Sequence, residues 1–455
     1  MKLSRRDFTR LMAGTGAAAA FGQLARTSAI AAGGSSYRAM VGVFLFGGND
    51  GWNMVVPTDA RYSSYATGRG TVALAQSALT PLTGTSFALH PAMAPLRTVW
   101  DDGALGLVLN AGTLYAPLTK ATYQSRADLR PSNLLSHSDE QAHWQGLRAR
   151  APNYDGFMGR LTDRSIDAQT PSLISLGGSQ LAIIGQRSSP LILPSQGALT
   201  RTAYTAGSTP KNAAIDAFAN GAGLGTITDV TAKQINAAYT QAITANTILA
   251  ATSSVDAHFV NATTGAVLTS DIARQLLRVA RMIEARDSLG HTRQTFFASQ
   301  GGFDNHSNQV TAGATGTGTH ANLLGDLAQA LAAFHRAMKA LGMTENVTAF
   351  TMSDFGRTFR GNAQNGTDHA WGSNHLVLGG ALNARGVHGA YPNVTLGGPD
   401  DVASEGRFLP GVAQEEYLGA IARWHGVAES DLPYVFPNWA TWTSNGRAPL
   451  GMFRV

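Results

Sequence analysis

One stretch sets the architecture. Met40-Val41-Gly42-Val43-Phe44-Leu45-Phe46 carries no polar side chain and ends on Gly47-Gly48. An unbroken apolar run of that length, closed by a glycine turn, is a strand buried on both faces, which belongs in a parallel sheet covered by helices. Ala104–Asn110 and Ser172–Leu176 read as further strands of the same kind.

The C-terminal half repeats the rhythm. Ile272, Leu276, Val279 and Ile283 lie on one face of a helix over 271–286, followed by a strand over 292–299. Leu324, Leu327, Leu331, Phe334, Met338 and Leu341 then step by three and four residues along a long core-facing helix, and 346–353 is the next strand. Helical and extended periods in alternation predict an α/β fold: a central, mostly parallel sheet with helices on both faces. Between them, 199–265 is rich in Ala, Thr, Asn, Gly and Ser. It reads as an inserted cap containing a helix near 230–252. The aromatic tail (Trp424, Tyr434, Phe436, Trp439, Trp442) reads as core packing.

The first 32 residues are of another kind. Arg5-Arg6 precede an Ala- and Gly-rich, weakly apolar run, and Ser28-Ala29-Ile30-Ala31-Ala32 offers a small-residue cleavage site. This is the pattern of a twin-arginine leader, which predicts Tat-dependent export to the periplasm or beyond. It leaves one mature domain over 33–455. The leader also explains the charge. The chain has 34 basic and 29 acidic residues, a net +5. Residues 1–31 hold five basic residues and one acid, so the mature chain is near neutral and nothing points to nucleic acid. With no cysteine, disulfides, thiolate nucleophiles and Cys-bound zinc are excluded. No later run approaches the about 20 apolar residues of a membrane span, so no stable membrane anchor is expected.

Three acids follow strand ends, where open α/β sheets gather their ligands. Asp50 stands in Gly47-Gly48-Asn49-Asp50-Gly51, Asp304 in Gly301-Gly302-Phe303-Asp304-Asn305-His306, and Asp354 in Ser353-Asp354-Phe355-Gly356-Arg357. Two further polar stretches are Ser136-His137-Ser138-Asp139-Glu140-Gln141 and Thr367-Asp368-His369 through His375. Carboxylate and imidazole together make a donor set for one or two divalent ions, Zn, Mn, Ca or Mg. Asp354 has a plainer alternative as a helix N-cap. His90, His258, His291, His335 and His425 stand alone and read as structural.

The motifs FLFGGNDGWNMVVP, SHSDEQAHWQ, GGFDNHSNQ, SDFGRTF and GTDHAWGSNHLVLGGAL resemble the exported family called DUF1501 over nearly the whole mature chain. That family in turn resembles the alkaline phosphatase/sulfatase superfamily. The resemblance implies an alkaline phosphatase-like fold with a metal site at one end of the sheet. It matches Asp50, Asp304, His306 and Asp354 to metal ligands, and His369 or His375 to the last ligand. By chain order it matches Ser136 to the nucleophile, with His137 competing for that role. Phe355 departs from the pattern, standing where the superfamily has a metal-binding His.

The implied chemistry is metal-dependent hydrolysis of a small anionic phosphate or sulfate ester. Arg357 would serve either as anion clamp or as a salt-bridge partner. The rival expectation is a non-catalytic exported scaffold on a degenerate phosphatase-like fold.

Overall fold

The computed structural model describes residues 37–165, 172–199, 225–383 and 386–454, with a few positions between 210 and 218. The expected leader and its cleavage site lie outside the described residues, as does most of the first third of the expected cap. Among the described residues, no helix is long and apolar enough to cross a membrane.

Among the described residues the main sheet has nine strands: β1 (Arg38–Leu45), β2 (Leu105–Gly112), β3 (Leu173–Ser175), β4 (Leu191–Ile192), β5 (Arg293–Gln300), β6 (Val347–Ser353), β7 (Ser373–Leu378), β8 (Val387–His388) and β9 (Val412–Ala413). Their order is β8-β2-β7-β6-β1-β5-β3-β4, with β9 also on β2. β1 sits between β5 and β6 and is parallel to both. β7 alone is antiparallel to its neighbours β2 and β6. The chain is thus an α/β protein on a mostly parallel sheet, as its strand–helix rhythm predicts.

The continuous apolar run of β1 is required by burial on both faces. Ala39, Val41, Val43 and Leu45 face one core with the helices Asp271–Glu284 and Thr319–Ala340. Met40 and Phe44 face the other core, with the helices Phe157–Arg164 and Gln414–His425. Successive strand residues point to opposite faces, so neither face can accept a polar side chain. The tail aromatics Trp424, Phe436 and Trp439 fill that second core.

The helix expected near 230–252 runs Thr226–Ala250 and buries Ala245 and Leu249 in the first core, leaving Ile227 and Ile243 exposed. Its pattern is weak because only a narrow stripe is buried.

β1, β5 and β6 share one carboxyl edge, and loops gather there. Ser353 Oγ donates to the Leu45 carbonyl (2.6 Å) and accepts from Asn49 N–H (2.8 Å), pinning the ends of β1 and β6 together. Gly48 turns the chain at φ +81°, and a Cβ there would lie 2.5 Å from the Phe355 ring. Only glycine lets the β1 turn approach the loop after β6 this closely.

Candidate metal centre

Four segments converge on Asp304. Asp304 follows β5, and its carboxylate is about half exposed. Arg357, fully buried in the loop after β6, donates from Nη1 to Asp304 Oδ1 at 2.9 Å. Its other nitrogens donate to Thr367, Nη2 to the carbonyl at 2.8 Å and Nε to the hydroxyl at 3.4 Å. The fork is therefore spent inside the protein. Burial alone would raise the Asp304 pKa, but the Arg357 guanidinium outweighs it and holds the carboxyl below its ordinary value.

Three imidazoles surround this carboxylate. His137 opens the helix α1 (His137–Gly146) and brings Nε2 to 3.4 Å from Asp304 Oδ2. His306 brings Nε2 to 3.0 Å from Asp304 Oδ1, and His369 brings its own to 3.4 Å from the same oxygen. One donor atom each from His137, Asp304 and His369 lies within 4.8 Å of the other two. The His369 loop is zipped to the loop after β6 by Thr358 N–H to Asp368 O (2.8 Å) and Ala370 N–H to Gly356 O (2.9 Å).

The far side of each ring is also held. His137 Nδ1 is 2.7 Å from Asp354 Oδ2, His306 Nδ1 is 2.7 Å from Asp368 Oδ1, and His369 Nδ1 is 2.8 Å from the Leu135 carbonyl. The Phe355 ring lies against His137 and His369, with centroids 4.8 and 4.6 Å away. Burial pushes the His369 pKa below the ordinary imidazole value.

The remaining predicted site residues divide. Asp354 is fully buried and accepts from His137, from Gln141 Nε2 (2.8 Å) and from Gly47 N–H (3.2 Å), so it borders the cluster from behind. Asp50 caps the short helix Gly51–Met54 and is bonded to Arg69 and to Gln309 Nε2 (2.6 Å). His375 lies on β7, buried between Trp144 (5.0 Å) and Tyr417 (5.7 Å), and burial lowers its pKa to about 3. Of the two candidate last ligands, only His369 reaches the cluster. Ser136 Oγ donates to Asp139 Oδ2 at 2.6 Å and lies 3.2 Å from Ser138 Oγ.

Sequence reasoning did not find Asp368 or Gln141 as partners of the imidazoles. Gln141 had a signal, since it follows His137 by four residues and so shares its helix face. Arg69 and Gln309, which take up Asp50, had none.

A family model described as "Protein of unknown function (DUF1501)" matches residues 37–406. The chain is a DUF1501 protein. No curated protein matches the sequence. Among solved structures, this DUF1501 protein is similar to a Pseudoalteromonas sulfatase, PsFucS1, at 10% identity over 89% of this chain and 70% of that one, with a TM-score of 0.36. It is also similar to a Bacteroides thetaiotaomicron protein reported in connection with glycosaminoglycan metabolism (11% identity, 88% and 80% coverage, TM-score 0.33). A mutant of the alkaline phosphatase PafA follows at 10% identity, with 71% and 64% coverage and a TM-score of 0.27.

Proposed function

We propose that this protein is an exported, metal-dependent hydrolase of small phosphate or sulfate esters. The observation that carries the reading is the convergence of His137, His306 and His369 on Asp304 at the carboxyl edge of a parallel sheet, the usual place for a ligand site in such folds. Three imidazoles and a carboxylate suit a divalent cation. Bound there, such an ion would take up an ester oxygen beyond its protein ligands and polarise it.

The chain's own residues supply the rest. Arg357 fixes the Asp304 carboxylate, and Phe355 fixes the tilt of two rings. The helix α1 begins at the cluster, and the N-terminal turn of a helix favours an anion. Ser136, one residue before His137, is the candidate nucleophile, and Asp139 is the acceptor for its proton. The order of motifs that resembles the phosphatase/sulfatase superfamily supports the ester class. In the same reading the first 32 residues engage the Tat translocase, and 33–455 acts as one unit outside the cytoplasm.

The test is hydrolysis of 4-nitrophenyl phosphate and 4-nitrophenyl sulfate by the purified mature chain. Activity should vanish on chelation, return with added divalent metal, and be absent in Asp304→Ala. A well-folded, metal-replete protein with no turnover on a broad panel of phosphate and sulfate esters would leave the scaffold reading instead.

A further inference from the structure

We infer that the centre holds one ion of the zinc class, bound by His137, His306, His369 and Asp304, and that Asp354 and Asp368 act only through the imidazoles they orient. The inference rests on the metal reading above and adds which metals fit and which carboxylates stay off the ion.

The tautomers follow from the acceptors. A carbonyl oxygen can only accept, so His369 Nδ1 carries the proton that it gives to Leu135. The carboxylates of Asp354 and Asp368 set the same tautomer at His137 and His306. Each ring then presents an Nε2 lone pair on the side of Asp304, and donor atoms of His137, Asp304 and His369 lie within 4.8 Å of one another. His306 Nε2 and His369 Nε2 stand 3.0 Å apart. His137 Nε2 is buried and has no hydrogen-bond partner. Lone pairs this close repel in the neutral state, whereas a shared cation makes each a bond.

An imidazole anchored through Nδ1 by a carboxylate or carbonyl is the usual outer support of a histidine metal ligand. The spacing agrees: bonds of about 2.0–2.2 Å to a tetrahedral ion put neighbouring donors about 3.3 Å apart, against 3.0–3.4 Å for the contacts to Asp304.

Donor chemistry selects the metal. Calcium and magnesium take oxygen ligands, whereas three nitrogens and one carboxylate suit zinc, cobalt and their neighbours. A second ion lacks ligands, because the other two strand-end carboxylates are spoken for. Asp50 is neutralised by Arg69 and bonded by Gln309. Asp354 is filled by His137, Gln141 and the Gly47 N–H.

The test uses the full mature chain, stripped by chelator and titrated with CoCl2, ZnCl2, CaCl2 and MgCl2. Cobalt should bind one per chain with the intense visible absorption of a four-coordinate site, and zinc should displace it. Calcium and magnesium at a thousandfold excess should not. Asp354→Asn and Asp368→Asn should still bind one ion with the same cobalt spectrum, but about 10- to 100-fold more weakly.

His306→Gln, at a half-exposed position where folding is not at stake, should lose or alter the spectrum. Preferential calcium binding, two ions per chain, or an unchanged spectrum in His306→Gln would each overturn the inference. Calcium-dependent ester hydrolysis would sink the metal class and leave the proposed activity. One tightly bound zinc without hydrolysis would do the reverse.

Discussion

Asp50 and Arg69 form an ion pair closed off from water on both sides, the carboxylate 1% and the guanidinium 0% exposed. The pair stands just past the turn that ends β1, and its neighbours continue it. Gln309 donates to Asp50 and accepts from the Thr367 hydroxyl, and Thr367 holds Arg357 against Asp304. A buried structural pair is thereby joined to the exposed centre.

Removing one partner of such a pair strands a charge. Arg69→Met should destabilise the protein by about 3–5 kcal/mol at neutral pH, because Asp50 is then buried without its cation. Burial alone would raise the Asp50 pKa, but Arg69 and the Gln309 hydrogen bond hold it below the ordinary value in the native chain. Its contribution is therefore present above the unfolded carboxyl pKa and lost as pH falls through the folded one. In Arg69→Met the folded pKa rises instead, so the deficit should shrink as pH falls toward 4. Urea unfolding of both proteins at pH 7 and pH 4.5 checks this. A deficit independent of pH counts against a charge origin.

Gly48→Ala tests the contact between the β1 turn and the Phe355 ring. The new Cβ would meet Phe355 at 2.5 Å, and φ +81° is a conformation that alanine resists. The backbone strain alone is about 1–3 kcal/mol. Phe355 also packs on His137 and His369, so the melting temperature and the metal affinity should fall together. An unchanged affinity in a folded variant would show that the ring does not set the imidazoles.

Glu140 lies three residues after His137 and is fully buried, with no cationic side chain among the described residues paired to it closely. Burial, with help from the Asp354 charge, pushes its pKa up to about 8. A raised folded pKa gives stability that is complete below the unfolded value and is lost as pH rises through about 8. Glu140→Gln removes the titration and keeps the shape. The variant should match the native protein near pH 5 and melt several degrees above it by pH 8.5. Parallel melting curves across that range would place the pH dependence elsewhere; Glu415, also raised to about 8, is the next candidate.

Much of the architecture could be read because burial writes itself into sequence. The apolar run of β1 and the three- and four-residue steps of Thr319–Ala340 have no other physical solution in a large chain. The site was legible in its composition and less so in its roles. Asp304, His306 and His369 stand in local motifs, but whether a carboxylate meets a metal or the back of an imidazole depends on partners far along the chain. Asp354 takes its partner from His137, 217 positions away. Asp50 takes Arg69 from a helix whose sequence, Arg61–Arg69, has no feature pointing to the sheet edge.

Ser136 decides how an ester would be opened. Its hydroxyl hydrogen goes to Asp139 Oδ2 at 2.6 Å, which suits a nucleophile beside its base but also suits an ordinary structural hydrogen bond. The two differ in kinetics. If Ser136 Oγ attacks phosphorus or sulfur, Ser136→Ala should lower kcat by about a thousandfold or more, with one bound ion retained. It should also abolish any burst of 4-nitrophenol on mixing. If the hydroxyl only bonds Asp139, Ser136→Ala should cost about 0.5–1.5 kcal/mol of stability and leave turnover within a few-fold. The first outcome makes a covalent serine ester the intermediate. The second moves the attack to water and leaves His137, not Ser136, as the functional residue at the head of α1.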